Sequence, residues 1–523
     1  MCGFFIVLNL KNHSDNKQID YDFAKKCSGQ IAYRGPDQTN EYISDNGSFF
    51  SHHRLSIIDL SNRSSQPHLS KNKQNIICFN GEIYNYKELR SDLLTEDISG
   101  DTELISEVFS RKSDPLDLLE KFDGMFAFCS YDLSSKNYYL VRDPVGIKPL
   151  YYRFFQDQLI ASSEAYPIAM WCHEKIDPIS EEEIRIFRRP TPGFSFFEGV
   201  KELLPGNFLT GTYNSKPKRW KNSFFKNSYN NFSYQKIKKI IKNSIELNTV
   251  SDVPISGFQS GGIDSTIVTK YAKPSHLYSV GFKHDNEFFT AKKVADLSQI
   301  NITCLEIIDN SYNELALEYI NKKKEPISVP NEVLIYALCK KLVDKRKVFL
   351  TGEGADEIFF GYDKIFRWAY KYGEISSEKI FINIFLEKYA YSNSKNIPQR
   401  FLEYISNILK DNNLALDFIE DFFLNFHLPG LLMRVDKSSM AAGKEARVPF
   451  CSKLLIDFMY RQPYKRRISK NYSKIPLRKI LKDSEYSFVN QIPKIGFRTL
   501  LPNMNKKDMY IYINDLYYKN KNL

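Results

Sequence analysis

The sequence predicts an α+β N-terminal domain of layered antiparallel sheets, followed by an α/β domain with a parallel sheet and a helical C-terminal part. Three observations lead to this prediction. Residues 1–210 hold short β-branched or aromatic runs separated by turn residues, a pattern typical of antiparallel strands. From Tyr234 onward, helical patterns alternate with brief apolar runs, as in a parallel sheet covered by helices. After Lys364 the pattern is mostly helical.

Each strand is predicted where an apolar run meets turn residues. The N-terminal strands are predicted at residues 4–8, 49–53, 76–79, 125–131 and 138–141, and the parallel strands at 253–258, 277–282 and 347–351. A helix is predicted near residue 240, because Ile237, Ile240, Ile241 and Ile245 form one apolar stripe. Residues 211–233 are rich in Asn, Ser and Lys, which predicts a linker between domains 1–210 and 234–523.

The composition is that of a globular protein and does not by itself indicate a function. The chain has 523 residues, of which 42% are hydrophobic and 26% charged, so wholesale disorder is excluded. Its 73 Lys and Arg residues exceed the 62 Asp and Glu residues by 11. The positive charge is dispersed rather than gathered into a stripe with interleaved aromatic residues, so no nucleic-acid partner is expected.

Cysteine usage and hydropathy favour a cytoplasmic protein without a membrane segment. None of the eight cysteines forms a C-x-x-C pair, and their spacing matches neither a zinc site nor a disulfide framework. The apolar run at residues 4–8 is too short for a signal peptide, and no run approaches the length of a membrane span.

Cys2 is the first candidate catalytic residue. Removal of Met1 would leave Cys2 with a free α-amine that can take the proton of its own thiol. Asn80 and Gly81 follow a predicted strand and could supply the side-chain and backbone N–H groups of an oxyanion hole. Taken alone, Cys2 is weak evidence, since some residue must occupy position 2.

A second group of polar residues suits the recognition of an amino acid. Arg54 could pair with a ligand carboxylate, while Glu82 and Asp101 could accept hydrogen bonds from a ligand ammonium. Together these residues fit an α-amino acid with an amide side chain, such as glutamine. The alternative is a turn asparagine surrounded by ordinary surface charges.

The third candidate site is a glycine loop between a predicted strand and a predicted helix. Its residues are Ser260, Gly261, Gly262, Asp264, Ser265 and Thr266. Two glycines let backbone N–H groups approach an anion, and the hydroxyls and the helix N-terminus add donors and a dipole. The loop lacks the lysine of a Walker motif and is similar to the pyrophosphate loops of enzymes that adenylylate a carboxylate. A simple tight turn is the alternative.

A second loop, residues 351–357, follows another predicted strand and contains Gly352, Glu353 and Asp356. Ligands of open parallel sheets bind beyond the carboxyl ends of the strands. Asp264 and Asp356 could therefore converge on Mg²⁺ that bridges nucleotide phosphates. The alternative is that both acids merely cap helices.

Several motifs occur in the order typical of one family. They are MCGFF, YRGPD, HHRLSIIDLS, FNGEIYNY, FDGMFAF and VRDPVGIKPLYY in the first half, and SDVP, SGGIDST, TGEGADE, RVD and RVPF in the second. In these the chain resembles the glutamine-hydrolysing asparagine synthetase family over nearly its whole length. The first half resembles an N-terminal-nucleophile glutaminase domain and the second an ATP-pyrophosphatase synthetase domain.

The resemblance implies a role for each candidate residue. It implies that Cys2 is the nucleophile, that Asn80 and Gly81 form the oxyanion hole, and that Arg54, Asn80, Glu82 and Asp101 bind glutamine. It implies that the glycine loop and Gly352 bind ATP, that Asp264 and Asp356 bind the metal, and that Glu353 is functional. It also implies that Lys494, in PKIGF, stabilises the adenylate-forming transition state.

Departures from the family pattern bear mainly on the acceptor. Tyr33 stands where the family usually has His, and Ser452 where RVPFLD has Asp. The usual L-G-x-x-H-H-E after the second parallel strand is also missing. If the Asp of RVPFLD recognises the ammonium of aspartate, Ser452 predicts an acceptor that lacks this charge.

The sequence therefore predicts a ligase that uses glutamine, ATP, Mg²⁺ and aspartate to make asparagine, glutamate, AMP and pyrophosphate through an acyl-adenylate. The alternative is a related amidotransferase that amidates another carboxylate in polysaccharide or secondary-metabolite biosynthesis. The expected partners are small molecules only, with a homodimer left open as the assembly. A noncatalytic relative is disfavoured by the joint presence of Cys2, Asp264, Glu353, Asp356 and Lys494.

Overall fold

The computed structural model describes residues 2–10, 19–93, 98–111, 115–211, 214–220, 233–283, 285–342, 345–391, 396–469, 471–492 and 506–520. The strands are β1 (Cys2–Asn9), β2 (Gln38–Ile43), β3 (Phe49–Arg54), β4 (His68–Leu69), β5 (Asn75–Ile83), β6 (Gly124–Asp132), β7 (Tyr138–Arg142), β8 (Tyr151–Phe155), β9 (Gln158–Ser162), β10 (Lys201–Glu202), β11 (Asn207–Leu209), β12 (Lys218–Arg219), β13 (Ile255–Phe258), β14 (His276–Phe282), β15 (Ile302–Ile307), β16 (Val348–Leu350) and β17 (Glu445–Arg447).

The helices of the first half are α1 (Tyr21–Gly29), α2 (Tyr86–Leu93), α3 (Asp101–Arg111), α4 (Ala165–Cys172) and α5 (Pro178–Phe187). Those of the second half are α6 (Tyr234–Leu247), α7 (Ile263–Ala272), α8 (Phe288–Ser298), α9 (Asp309–Lys323), α10 (Asn331–Lys341), α11 (Ala355–Ile358), α12 (Asp363–Tyr372), α13 (Glu378–Tyr389), α14 (Gln399–Leu409), α15 (Ala415–Phe422), α16 (Leu428–Met440), α17 (Lys453–Met459), α18 (Ile475–Lys482) and α19 (Lys506–Asn520). A π-helical turn, Phe423–His427, joins α15 to α16.

Two antiparallel sheets form the N-terminal domain, as the sequence predicts. Their strand orders are β10-β8-β9-β1-β3-β2 and β12-β11-β7-β6-β5-β4. Alternate residues of β1 face opposite sides, because side chains alternate along a strand. Phe4 and Ile6 pack in the core between the two sheets, whereas Phe5 and Val7 pack in the core that includes α1 and α4. The domain is therefore layered, with helices outside two stacked sheets.

The second half is built on a parallel sheet of five strands in the order β15-β14-β13-β16-β17. All four strand pairs in this sheet are parallel, which confirms the predicted α/β class. The chain runs outward from β13 in one direction to β14 and β15, and in the other direction to β16 and β17. The order thus reverses between β13 and β16, and such a reversal opens a crevice where ligands bind in open α/β sheets.

The helix and strand predictions agree with the structure, and the described part of the predicted linker packs on the N-terminal domain. The four isoleucines of α6 are all buried, as their stripe predicts. Within residues 211–233, β12 pairs with β11 and Trp220 Nε1 donates to Arg142 O at 3.1 Å, so this part of the segment packs on the N-terminal domain. The exact domain boundary stays a prediction. After Lys364 the described residues are helical apart from β17 and the connecting turns.

None of the helices in the described part of the chain is long and apolar enough to cross a membrane. All eight cysteines are thiols without a disulfide bond, and seven of them are buried.

The burial of His52 in β3 predicts sensitivity to acid. Burial lowers the pKa of His52 to about 3, although its ring Nε2 lies 3.0 Å from the Phe79 carbonyl oxygen. In the unfolded chain His52 has an ordinary pKa and binds a proton near pH 6.5, whereas in the folded chain it stays neutral. Protonation therefore favours the unfolded state, and the free energy of unfolding decreases as the pH falls below about 6.5. Stability should drop by up to about 1.4 kcal/mol per pH unit below about 6.5 on this account.

The measurement compares His52→Gln with wild type by thermal unfolding between pH 7.5 and 4.5. The variant should keep more of its thermal midpoint as the pH falls, and His173→Asn, which changes an exposed histidine, should follow wild type. Parallel curves for wild type and His52→Gln would contradict the prediction.

Candidate active sites

Cys2 begins β1 and lies where the two antiparallel sheets meet. Its Cα pairs with that of Arg54 on β3, and its backbone N–H donates to Asn80 Oδ1 on β5 at 3.1 Å. The residue is only 6% exposed. Cys2, Arg54 and Asn80, which are widely separated in the sequence, are therefore neighbours, as their proposed roles require.

Asn80 has a side-chain donor that is still available. Its Nδ2 is buried and has no hydrogen-bond partner among the described residues, while its Oδ1 holds the Cys2 N–H. A buried amide without an acceptor carries a desolvation cost that a ligand oxygen would relieve. Gly81 is needed for close strand packing, because a Cβ there would lie 2.0 Å from the Met125 carbonyl oxygen.

The thiol of Cys2 and the guanidinium of Arg54 interact electrostatically. Burial raises the pKa of Cys2, whereas a hydrogen bond from the Leu55 backbone and the charge of Arg54 oppose this rise. Arg54 itself is held by the carbonyl oxygens of Asp59 and Ser61, at 2.8 Å in the case of Ser61. The two carbonyls fix the direction of the guanidinium without neutralising its charge.

Glu82 and Asp101 form a buried acidic pair close to this site. Burial raises the pKa of Glu82 well above its ordinary value, and Glu445 and Asp101 raise it further. Burial likewise raises the pKa of Asp101 to about 6, although its carboxylate accepts from the N–H groups of Ile83 and Thr102. Glu82 Oε2 has no hydrogen-bond partner in the described part of the chain, so the pair favours a cationic ligand group.

The glycine loop lies between β13 and α7, at the point where the strand order reverses. Gly261 has φ +81°, and a Cβ there would lie 2.8 Å from Thr290 Cβ. Gly262 N donates to Ser260 Oγ at 3.3 Å, which keeps the loop tight. Thr266 Oγ1 donates to Gly262 O at 2.7 Å, so its proton is already used within the helix.

The loop that follows β16 packs directly against the glycine loop. A Cβ on Gly352 would lie 2.7 Å from Asp264 Cβ and 2.9 Å from Ser265 N. Only glycine therefore permits this approach. The two loops predicted to bind nucleotide and metal thus converge in the crevice between β13 and β16.

Lys474 lies between the two acidic side chains of these loops. Its Nζ is 2.5 Å from Asp264 Oδ2 and 2.6 Å from Asp356 Oδ1. Burial disfavours its charged form, but the two carboxylates outweigh this and raise the pKa of Lys474 above its ordinary value. Gly361 makes room for the lysine, because a Cβ at that position would lie 2.3 Å from Lys474 Cε.

The charges and donor atoms of this site suit Mg²⁺ together with phosphates. Two carboxylates and one lysine of the described residues lie together here, and a nucleotide would add several negative charges that a divalent cation could offset. Mg²⁺ usually binds one or two carboxylates plus phosphate oxygens and water. The described residues hold no group of three or more His, Cys, Asp or Glu side chains placed to bind a metal.

The other predicted synthetase residues fall into different surroundings. Glu353 is partly buried in the second loop, where its N–H donates to Thr351 Oγ1 at 3.3 Å. Ser452 accepts a hydrogen bond from Leu455 N at 3.3 Å and caps α17. This cap gives position 452 a structural role that an aspartate could also fill. Lys494 lies outside the described residues, so its proposed role stays a prediction.

Two residues that the sequence interpretation did not single out occupy central positions. One is Lys474, which stands alone in sequence just before α18 and belongs to none of the motifs. The other is Arg34, whose Nε donates to the Cys2 carbonyl oxygen at 3.1 Å. Arg34 lies within YRGPD, so the motif was a usable signal, but no local pattern indicates Lys474.

Arg34 also connects the two candidate sites. Its guanidinium pairs with Glu164 in the first half and, at 2.8 Å, with Asp436 of α16 in the second half. Lys148 Nζ lies 3.3 Å from the other oxygen of Asp436. The carbonyl of the candidate nucleophile is thus fixed by an ion-pair network that crosses the domain interface.

Comparison with known proteins assigns both halves of the chain. Residues 1–222 match the family model "Glutamine amidotransferase domain", and residues 236–518, more than half of the chain, match "Asparagine synthase". Asparagine synthetase [glutamine-hydrolyzing] 1 of Bacillus subtilis is 28% identical over 99% of this chain and 90% of its own length. Asparagine synthetase B of Escherichia coli is 25% identical over 88% and 75%.

A likeness to a solved structure is much weaker. Glutamine phosphoribosylpyrophosphate amidotransferase from B. subtilis has a TM-score of 0.31 and 12% identity, covering 58% of this chain and 65% of that one. This similarity is too low to support a conclusion.

The position of Lys474 predicts a loss of stability when its charge is removed. Lys474→Met would leave Asp264 and Asp356 close together without their shared cation. Removing one partner of a buried ion pair costs about 3–5 kcal/mol, and the partial exposure of the two acids should reduce this to about 2 kcal/mol. Thermal unfolding at neutral pH measures the effect.

Lys482→Met, on the exposed face of α18, is the matched control and should behave like wild type. If the thermal unfolding midpoint of Lys474→Met equals that of the control, the ion pairs of Lys474 contribute nothing to stability.

Proposed function

The chain belongs to the asparagine synthase family, and we propose that it is a glutamine-dependent asparagine synthetase. It would convert ATP, aspartate and glutamine into asparagine, glutamate, AMP and pyrophosphate. The observation that carries this proposal is the Asp264–Lys474–Asp356 arrangement at the reversal point of the parallel sheet. Such an arrangement suits the binding of a nucleotide phosphate chain, and the same chain holds a thiol with an available oxyanion donor.

Glutamine hydrolysis would take place at Cys2. After removal of Met1, the nitrogen that now donates to Asn80 Oδ1 would be the α-amine, held beside the thiol whose proton it takes. The thiolate would attack the side-chain amide carbon of glutamine, while Asn80 Nδ2 donates to the oxyanion. Ammonia would leave, and water would then hydrolyse the thioester to glutamate.

Glutamine itself would be held by the charges around Cys2. Arg54 offers a fixed guanidinium to its α-carboxylate, and the buried acids Glu82 and Asp101 offer oxygens to its ammonium. A cation bound there would stabilise the ionised form of this acidic pair, which burial otherwise disfavours.

Carboxylate activation would take place in the crevice between β13 and β16. The backbone of Ser260, Gly261 and Gly262, at the N-terminus of α7, would bind phosphate oxygens. Asp264 and Asp356 are the residues that would hold Mg²⁺, which when bound neutralises charge on the pyrophosphate leaving group. Lys474 supplies a positive charge beside both carboxylates, and we propose that it also contacts the phosphate chain.

Separating ammonia release from amide formation has a chemical reason. Free ammonia is mostly protonated at neutral pH, and ammonium has no lone pair with which to attack an acyl-adenylate. Ammonia released at a buried Cys2 would avoid bulk water on its way to the second site. The ion pair between Arg34 and Asp436 would keep the two halves docked for this transfer.

Position 452 bears on the identity of the acceptor. The capping role of Ser452 supports a structural purpose for that position, so its difference from the family pattern does not argue against aspartate. An acceptor with another carboxylate is the rival, and the choice between them is an experimental one.

Cys2→Ala should abolish glutaminase activity and leave ammonia-dependent synthesis intact, because the second site does not use the thiol. Glutamate release and pyrophosphate release measure the two activities separately. Intact-mass analysis should show that active wild type begins at Cys2. Loss of both activities in a folded Cys2→Ala protein would contradict the idea of two separable sites.

Aspartate-dependent pyrophosphate release with saturating ammonia and Mg-ATP tests the acceptor. Asp356→Asn should lower this rate by somewhat over a hundredfold, corresponding to about 3 kcal/mol of lost stabilisation, and leave glutamine hydrolysis largely unchanged. Cys2→Ala serves as the matched control and should retain the full rate. If the enzyme does not turn over aspartate but does turn over another carboxylate from a panel, the proposed asparagine synthesis is wrong and the rival amidation is supported.

A further inference from the structure

Arg188 is a buried cation for which the described residues provide no anion. It follows α5 directly, with φ +70°, and it is 2% exposed. Its Nε and Nη1 are buried and have no hydrogen-bond partner in the described part of the chain. Residues with a Cβ seldom adopt this left-handed conformation, so the backbone of Arg188 is strained as well as its side-chain donors being unpaired.

The next residue, Arg189, differs from Arg188 because it has both an acidic partner and a hydrogen-bond acceptor. Arg189 Nη2 lies 2.8 Å from Glu202, and its Nη1 donates to the Phe426 carbonyl oxygen at 3.1 Å. Arg188 instead lies against two aromatic rings that contact each other, with its guanidinium carbon 3.9 Å from the ring centre of Tyr510 and 4.7 Å from that of Tyr391. Ring faces attract the cation, but they leave its N–H donors unused.

A second arginine lies close to the first. Burial, with a smaller contribution from the positive charge of Arg434, lowers the pKa of Arg188 to about 10 against the opposing effect of Tyr510 and Tyr391. Arg434 is carried by α16, and its Nε is also buried without a hydrogen-bond partner among the described residues. Two neighbouring guanidiniums thus have donors that the described chain does not use.

Glu332 is the acidic residue near Arg434, but it is already occupied. One of its oxygens accepts from the N–H groups of Ser328 and Val329, and the other accepts from Tyr319 and Lys323. It therefore does not supply the missing counterion. Leaving two like charges near each other, with Arg188 buried and Arg434 partly buried, is unfavourable, and a bound anion would lower this cost.

We propose that Arg188 and Arg434 form a binding site for one small oxyanion group, a carboxylate or a phosphate, flanked by Tyr391 and Tyr510. A guanidinium fork matches the oxygens of a carboxylate or of a phosphate. A lysine ammonium would match these oxygens less well than arginine does, and a halide would fit the fork less well than an oxyanion does. The site brings together the N-terminal domain, α16 and α19, so its ligand would bind across the interface of the two halves.

The location suggests two sources for this anion. The Tyr389 hydroxyl is hydrogen-bonded to His427 Nδ1 at 2.8 Å. The other ring nitrogen of His427, Nε2, lies 3.7 Å from Glu357, which follows Asp356 in the chain. The ring centres of Tyr389 and Tyr391 are 6.4 Å apart. The oxyanion site is thus joined by packed side chains to the loop of the synthetase site. Its ligand is either a second anionic group of the acceptor or a separate small anion.

The test measures anion binding by the full chain in the absence of glutamine and ATP, so it does not depend on the proposed function. Inorganic phosphate and malonate are titrated by calorimetry and by thermal unfolding, with NaCl at matched ionic strength as the reference. Arg188→Met removes the charge and keeps much of the side-chain length. Arg185→Met, on the same helix, removes an arginine that is already paired with Glu181 at 2.8 Å, and it is the matched control.

Wild type and Arg185→Met should bind phosphate or malonate and gain thermal stability, whereas Arg188→Met should bind at least about tenfold more weakly, as expected for lost charge-assisted hydrogen bonds. Arg434→Met should show the same loss of anion binding. It is the variant to use if Arg188→Met does not fold. Displacement of phosphate by aspartate in wild type would assign the site to the acceptor, and retention of phosphate would assign it to a separate anion. No response in wild type beyond that to NaCl, or equal responses in wild type and Arg188→Met, would overturn the proposal.

Discussion

The buried guanidinium of Arg34 connects the two halves of the chain, each of which carries one candidate site. It is completely buried, and it donates to the Cys2 carbonyl oxygen while pairing with Glu164 and Asp436. Transferring a cation from water to such a place costs several kcal/mol unless each donor finds an acceptor. Since one acceptor belongs to α16, the docked second half helps to hold the Arg34 side chain that contacts the backbone of Cys2.

The network around Arg34 also makes this docking specific. Its cations are Arg34, Lys148 and Lys437, and its anions are Glu164, Glu325 and Asp436. The first half contributes two cations and one anion, and the second half contributes two anions and one cation. Neither half can therefore neutralise its own charges, so a shifted interface would bury unpaired ions. Buried ion pairs add little net stability compared with apolar packing, so we infer that this network serves mainly to select one arrangement.

Much of the scaffold was predictable because burial imposes patterns on the sequence. The apolar runs of β13 and β16 predict parallel strands, and the loops that follow them must emerge at one edge of the sheet, which brings Asp264 and Asp356 together. Strand β17, residues Glu445–Arg447, was not predicted because two of its three residues are charged. Its burial is possible because Arg447 pairs with Glu445 and donates to the Asn248 carbonyl oxygen at 2.8 Å, and sequence patterns do not contain such partners.

Lys474 shows why a search for local motifs cannot complete such a site. The glycine loop lacks the lysine that a Walker loop carries at its own helix, and the cation comes instead from a residue 210 positions away. Coulomb attraction depends on distance in space, so any part of the chain can meet this electrostatic requirement. What the sequence must supply locally is room, and Gly361 supplies it, since a side chain there would collide with both Lys474 and Asp356. The sequence near the acids therefore encodes the space for the cation, while the packing of α18 against α7 provides the cation itself.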